Sequence, residues 1–259
     1  MEASPTALGR LLSKHPVSGA QTWGGLLAGV VLIVLGPAIY FGLTIFWGTL
    51  GSEAQAVFDA TPFLRYLPLA LGIIFLIMGI LRLFQAWRNW PLAANLYEGG
   101  IEYTDRKGTR QISLDQVEGF YLHVVRYTYY YIIPAGTTYL ATVTQKGGEV
   151  IVLDNRLSKI KQLCEGFQER LASVQMPAYL AKIQAGQRIE FGVLSLDQSG
   201  IYQGNKSLPW AEVGKVTLED GTLSISRQGK WGNWAKYPFS QIPNAALFYT
   251  LAKQMAPTG

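Results

Sequence analysis

Three side chains in this sequence could do metal or nucleophilic chemistry: His15, His123 and Cys164. Zinc-type sites need several nitrogen, sulfur or carboxylate ligands at short spacing, and neither histidine has a neighbour placed to supply them. Cys164 falls among apolar residues at helical spacing, where a thiol behaves as a small hydrophobe rather than a nucleophile. A single cysteine also rules out an intrachain disulfide or a cysteine cluster. Phosphate-binding Gly-x-x-x-x-Gly-Lys loops, Gly-x-Ser-x-Gly elbows and paired helical histidines do not occur. Gly99-Gly100 and Gly147-Gly148 read as turn glycines. The expectation is a protein without catalytic residues, metal or cofactor.

The remaining candidates are binding surfaces. Arg106, Lys107 and Arg110 cluster at one turn and could neutralise an anionic lipid headgroup. Arg227, Lys230, Trp231, Trp234 and Lys236 interleave indoles, cations and glycines, a composition suited to a loop at a membrane or partner interface. Tyr127, Tyr129, Tyr130 and Tyr131 form an aromatic run, and tyrosine offers large, stiff, amphipathic contact area to a protein partner.

Two apolar stretches determine where such surfaces can act. No Asp, Glu, Lys or Arg occurs between Lys14 and Glu53, and a second apolar run covers 67–81. About 20 apolar helical residues cross the hydrocarbon core, so helices are expected at 23–47 and 66–87 within a hairpin spanning 23–90. Residues 1–22 read as a cytoplasmic tail. Arg10, Lys14, Arg82 and Arg88 flank the hairpin on one side, which predicts both termini on the cytoplasmic side of a cytoplasmic-type membrane, plasma or internal. Gly72 and Gly79, one heptad apart, would let the second helix approach the first closely.

Beyond Pro91 the periodicity becomes that of short strands, with helical spacing at Ile160, Leu163, Cys164, Phe167 and Leu171 and at Leu247, Phe248, Leu251 and Met255. Asp154 or Asn155 is the expected cap of the first helix and Asn244 of the second. Leu196 to Ile201 echoes Leu96 to Ile101, and Leu208 to Val213 echoes Ile112 to Val117. The chain therefore reads as a repeat: a first unit at 94–174, a linker at 175–186 carrying Met176-Pro177, and a second unit at 187–256. From Glu98 onward 17 Lys/Arg face 14 Asp/Glu, a modest excess that does not suggest nucleic acid.

Phe191-Gly192-Val193-Leu194, Gly200-Ile201, Leu208-Pro209-Trp210-Ala211-Glu212-Val213, Gly221-Thr222-Leu223 and Ile242-Pro243-Asn244 resemble a prokaryotic membrane-protein family of unassigned activity. Its members join membrane helices to pleckstrin-homology-like (PH-like) modules. The resemblance covers mainly 186–256, with weaker support over 94–172. It implies a transmembrane hairpin followed by an α+β cytoplasmic region of two PH-like units, each a small bent β-barrel closed by a C-terminal helix. In eukaryotic PH domains the loop comparable to Arg106–Arg110 often binds inositol phosphates. The functional expectation is a membrane-anchored scaffold, an accessory subunit or assembly factor whose partners are the bilayer and a membrane protein complex, with homo-oligomerisation open. An anionic-lipid-sensing module is the alternative, and a small transport or channel component the third.

Overall fold

A computed structural model of the chain describes residues 7–53, 56, 61–129 and 133–256. The chain divides into a helical unit, Val17–Leu92, and a β-rich unit built from Met1–Pro16 and Ala93–Gly259.

The helical unit contains α1 (Gly19–Gly48) and α2 (Pro62–Asn89). Both helices are long and apolar enough to cross a membrane, and little of either is buried within the protein. Each extends beyond its expected bounds, because Gly19, Gln21 and Thr22 carry no charge and the second helix starts at a proline. The helices meet through small residues. A Cβ on Gly36 would lie 2.8 Å from the Gly72 carbonyl oxygen, and one on Gly79 would lie 2.8 Å from that of Gly29. Gly25 faces Ala86 in the same way. These pairs, running in opposite directions along the chain, define an antiparallel hairpin whose backbones touch. Trp23 and Trp90 stack edge to face at its end, centroids 5.8 Å apart.

The β-rich unit repeats one order of elements twice. The first half has β1 (Leu11–Pro16), β2 (Ala93–Tyr97), β3 (Gly100–Asp105) and β4 (Gly108–Ser113) in one antiparallel sheet. A 3-10 turn at Leu114–Gln116 leads to β5 (Val117–Tyr129), β6 (Ile133–Gln145) and β7 (Val150–Asp154) in a second sheet, followed by α3 (Ile160–Gln184). The second half has β8 (Ile189–Phe191), β9 (Leu194–Leu196), β10 (Gly200–Gln203) and β11 (Lys206–Pro209). A 3-10 turn at Trp210–Glu212, then β12 (Val213–Glu219), β13 (Thr222–Arg227), β14 (Asn233–Pro238) and α4 (Ala245–Met255) complete it. Matching details reach single atoms. A Cβ on Gly100 would lie 2.3 Å from the Ile112 carbonyl oxygen, and one on Gly200 2.3 Å from that of Leu208. The Leu114 N–H donates to Gly99 O and the Trp210 N–H to Ser199 O.

Several expectations need correction. None of the four sheets closes into a barrel among the described residues. The tail is not merely a tail: Leu11–Pro16 is a strand, pairing antiparallel with β2 from Leu11 opposite Tyr97 to Pro16 opposite Ala93. The helical hairpin is thus inserted between β1 and β2, where the second half joins β8 to β9 through Gly192-Val193. His15 on β1 is buried, its Nδ1 2.9 Å from Ser158 O and its Nε2 2.9 Å from Ser13 Oγ. Residues 175–184 are the end of α3 rather than a linker, and the helix continues through Pro177. Proline forfeits one hydrogen bond there, but buried Leu171 and Ile183 hold the helix on both sides. Asp154 and Asn155 do not cap α3, because their side chains are occupied. Asp154 holds Arg156, while Asn155 accepts the Tyr139 N–H and donates to Thr137 O.

Helix α3 serves both halves. Phe167 meets Phe120 of the first (5.2 Å between centroids), and Tyr179 meets Phe191 of the second (5.9 Å). Buried Gln175 donates to Leu114 O and Val117 O. Asn244 stands at the start of α4 as expected, yet its side chain does not cap that helix. Its Oδ1 accepts the Phe120 N–H at 2.8 Å, its Nδ2 donates to Glu118 O, and its own N–H donates to Phe120 O. Asn244 thereby pairs with β5 as a strand residue would, and locks the halves together.

Two outcomes test this packing. Gly36→Leu should lower the unfolding midpoint in detergent by the equivalent of about 1–3 kcal/mol through overpacking. Gly42→Leu, at a position with nothing within 4 Å, should change it little. Asn244→Ala leaves the buried Phe120 N–H unpaired and should cost about 1–3 kcal/mol in chemical denaturation of the full chain.

Candidate functional site

The sheet β5–β6–β7 has one face in the core and one outside. Alternation places Phe120, Leu122, Ala141, Val143, Ile151 and Leu153 inward, and all six are buried. The outward set is defined by register: Tyr121 opposite Thr142 opposite Val152, His123 opposite Leu140 opposite Asp154, and Thr144 opposite Val150. Leu140, Val150, Val152 and Tyr127 are exposed large side chains. A sheet face open to water ordinarily alternates to charged and polar residues. This one carries threonines, a histidine, valines, a leucine and tyrosines. Among the residues that the register sets on it, Asp154 carries a charge and is held by Arg156 at 2.8 Å; Glu118, also exposed on β5, falls at the bulge between Val117 and Gly119.

Tyr127 belongs to this face, at 53% exposure. Tyr129 lies on β5, but its side chain is outside the described residues, as are Tyr130 and Tyr131 entirely. The aromatic end of this face is visible in the sequence, and the rest is not. Leu140, Val150 and Val152 are four-carbon or smaller branched residues in two different strands, and only the register of β6 against β7 brings them together.

The basic turn is less available than its composition suggests. Arg110 is gripped by Asp105 at 2.7 Å and Glu149 at 3.4 Å, and lies over the Tyr103 ring. Asp105 also accepts the Lys107 N–H, so one carboxylate organises the turn and offsets its charge. Arg106 and Lys107 are exposed.

The aromatic–cation loop divides in two. Trp231 is wholly exposed between β13 and β14, whereas Trp234 is half-buried on β14. Arg227 is ion-paired with Glu212. Lys230 and Lys236 are exposed.

Between the halves lies a cavity of about 290 Å³, lined by Leu122, Val124 and Cys164 of the first and Leu218 and Phe239 of the second. The Arg126–Asp220 ion pair bridges the halves beside it at 2.6 Å. Both side chains are mostly exposed, so the pair contributes little. Burial, with a smaller push from Glu165, raises the Cys164 thiol to about 12 from an ordinary 9.0. It is therefore a protonated, unreactive group at neutral pH. Among the described residues no cluster of His, Cys, Asp or Glu could hold a metal ion.

The chain belongs to a family of unknown function, DUF6585, whose profile matches residues 2–257. That is almost its whole length, helices and both β-rich halves together. No curated protein and no solved structure matches it.

Cys164 supplies a pH test. A thiol with a raised folded pKa lends stability fully below the unfolded value of 9.0 and loses it as pH climbs toward about 12. Maleimide labelling of the folded chain at pH 8 should be far slower than that of a free thiol, because burial both shields the sulfur and disfavours its thiolate. Labelling after denaturation should be immediate.

Proposed function

We propose that this DUF6585 chain is a non-enzymatic membrane-anchored scaffold, an accessory subunit or assembly factor that holds a membrane protein partner. The single observation that carries the reading is the outward face of β5–β6–β7, where the residues set by the register are uncharged apart from the paired Asp154. Leu140, Val150, Val152 and Tyr127 expose apolar surface on it, and exposed apolar patches mark interaction sites.

Each half, in this reading, is a PH-like module. A four-stranded sheet, a three-stranded sheet and a closing helix in that order support the assignment, and the repeated Gly100 and Gly200 contacts support a tandem pair. The modules sit at the cytoplasmic face, with both termini on that side, in a prokaryotic membrane. Only Val17 and Ser18 separate β1 from α1, and only Trp90, Pro91 and Leu92 separate α2 from β2. Two connections this short tether the β-rich unit to the hairpin, and a membrane anchor raises the effective concentration of a membrane partner. A weak protein contact then suffices. The alternative, lipid sensing through Arg106, Lys107 and Arg110, draws less support because Arg110 is already neutralised by two carboxylates.

Tagged full-length protein, extracted from its native membrane in mild detergent, should bring down one partner chain in fixed ratio. Leu140→Glu combined with Val152→Glu should lose that partner while shifting the unfolding midpoint by no more than about 0.5 kcal/mol per site, as surface substitutions do. Partner recovery unchanged by both substitutions would overturn the proposal, as would recovery of the wild-type chain alone after crosslinking.

A further inference from the structure

A tryptophan wholly in water is an expensive surface feature unless something apolar receives it, and Trp231 is in that position. It sits in the 228–232 connection between β13 and β14, where Gly229 and Gly232 both take positive φ (67° and 94°). The turn is closed by the Lys230 N–H donating to Arg227 O at 3.2 Å. A tight, glycine-hinged turn on paired strands holds the indole away from the core rather than letting it fold back. Trp234, two residues past the second glycine, is half-buried instead.

The surroundings of the tip are cationic. From Gly221 through Lys236 there is no Asp or Glu, while Arg227, Lys230 and Lys236 all fall in that stretch. Lys215 on the adjoining strand is brought to the same end, because its N–H bonds Ser226 Oγ beside Arg227. Lys215 and Lys230 are exposed, and among the described residues neither forms an ion pair. Glu212 is taken up by Arg227. The tip therefore presents an exposed indole next in sequence to Lys230, with Lys215 on the adjoining strand, and neither lysine is ion-paired among the described residues.

From this we infer that the β13–β14 tip is a membrane-contact loop that enters the headgroup region of an anionic phospholipid surface. Indoles favour that depth, where the ring is shielded and the N–H stays hydrated. Lysines beside it gain from the negative surface potential of acidic lipid. The inference rests on the membrane-anchoring part of the proposed function, since α1 and α2 bring the chain to a bilayer. It adds a separate attachment through the second half of the β-rich unit, and needs no protein partner.

The test uses full-length protein reconstituted into vesicles of phosphatidylcholine alone, or with phosphatidylglycerol, prepared with and without brominated acyl chains. Subtracting the fluorescence of Trp231→Phe from that of the wild type isolates the emission of Trp231. Expected is a blue-shifted Trp231 signal, strongly quenched by brominated lipid in the anionic vesicles. The signal should return to its water-exposed form in neutral vesicles, in about 0.5 M salt where the Debye length is a few ångströms, and in the double variant Lys215→Gln, Lys230→Gln. Trp231 emission indifferent to bromine in anionic vesicles would overturn the inference. So would equal quenching in neutral and anionic vesicles, which would remove the role of charge. Resistance of the protein to alkaline extraction from the vesicles reports the anchor independently. An extracted chain means the anchoring reading has failed, and an embedded chain with unquenched Trp231 means that only the loop assignment has.

Discussion

The pairing of Leu11–Pro16 with Ala93–Tyr97 is the constraint on which the rest of the molecule depends. It joins two strands separated by the whole of Val17–Leu92. Closing so long a segment costs entropy, though the cost grows only with the logarithm of length. The antiparallel helices reduce it further, because their packed glycines return the chain to its starting end. The strands stay paired across that insertion, and the helices within it are paired through their own glycines. Strand β1 then does more than extend a sheet. His15 and the Pro16 carbonyl bind the backbone at Ser158, immediately before α3 begins.

From α3 the order spreads to the second half. One face of that helix closes the first core at Phe167, and its later turns reach Phe191 through Tyr179. Asn244 returns the contact from α4 to the edge of β5. Two small β assemblies that could have moved as beads on a string are instead one body, with buried hydrogen bonds at their junction. The outer face of β5–β6–β7 lies in the first half and the Trp231 tip in the second.

Much of this was legible in the sequence. The charge-free stretch after Lys14 announced the first helix, and Gly72 and Gly79 announced its close packing. The echo of Leu96–Ile101 in Leu196–Ile201 announced the repeat. Strand β1 was hidden because its partner lies beyond the hairpin, and because only His15 along it is buried. Residues of Asp154 and Asn155 type are good helix caps in isolation, but tertiary partners claimed both. Pro177 signalled a helix end that the packing of Leu171 and Ile183 overrode. The outer face of β5–β6–β7 is hard to read from the sequence for a similar reason. Its residues are ordinary strand formers whose exposure depends on which face of the sheet the core occupies, and no local pattern states that.

The most direct measurement is photo-crosslinking in the native membrane, with a photoreactive residue placed at Val152 on the outer sheet face and, separately, at exposed Thr250 on α4. The predicted result is one discrete protein adduct from Val152 that is absent from Thr250. Identical patterns from the two positions, or no protein adduct from Val152, would contradict a partner-binding role for this face.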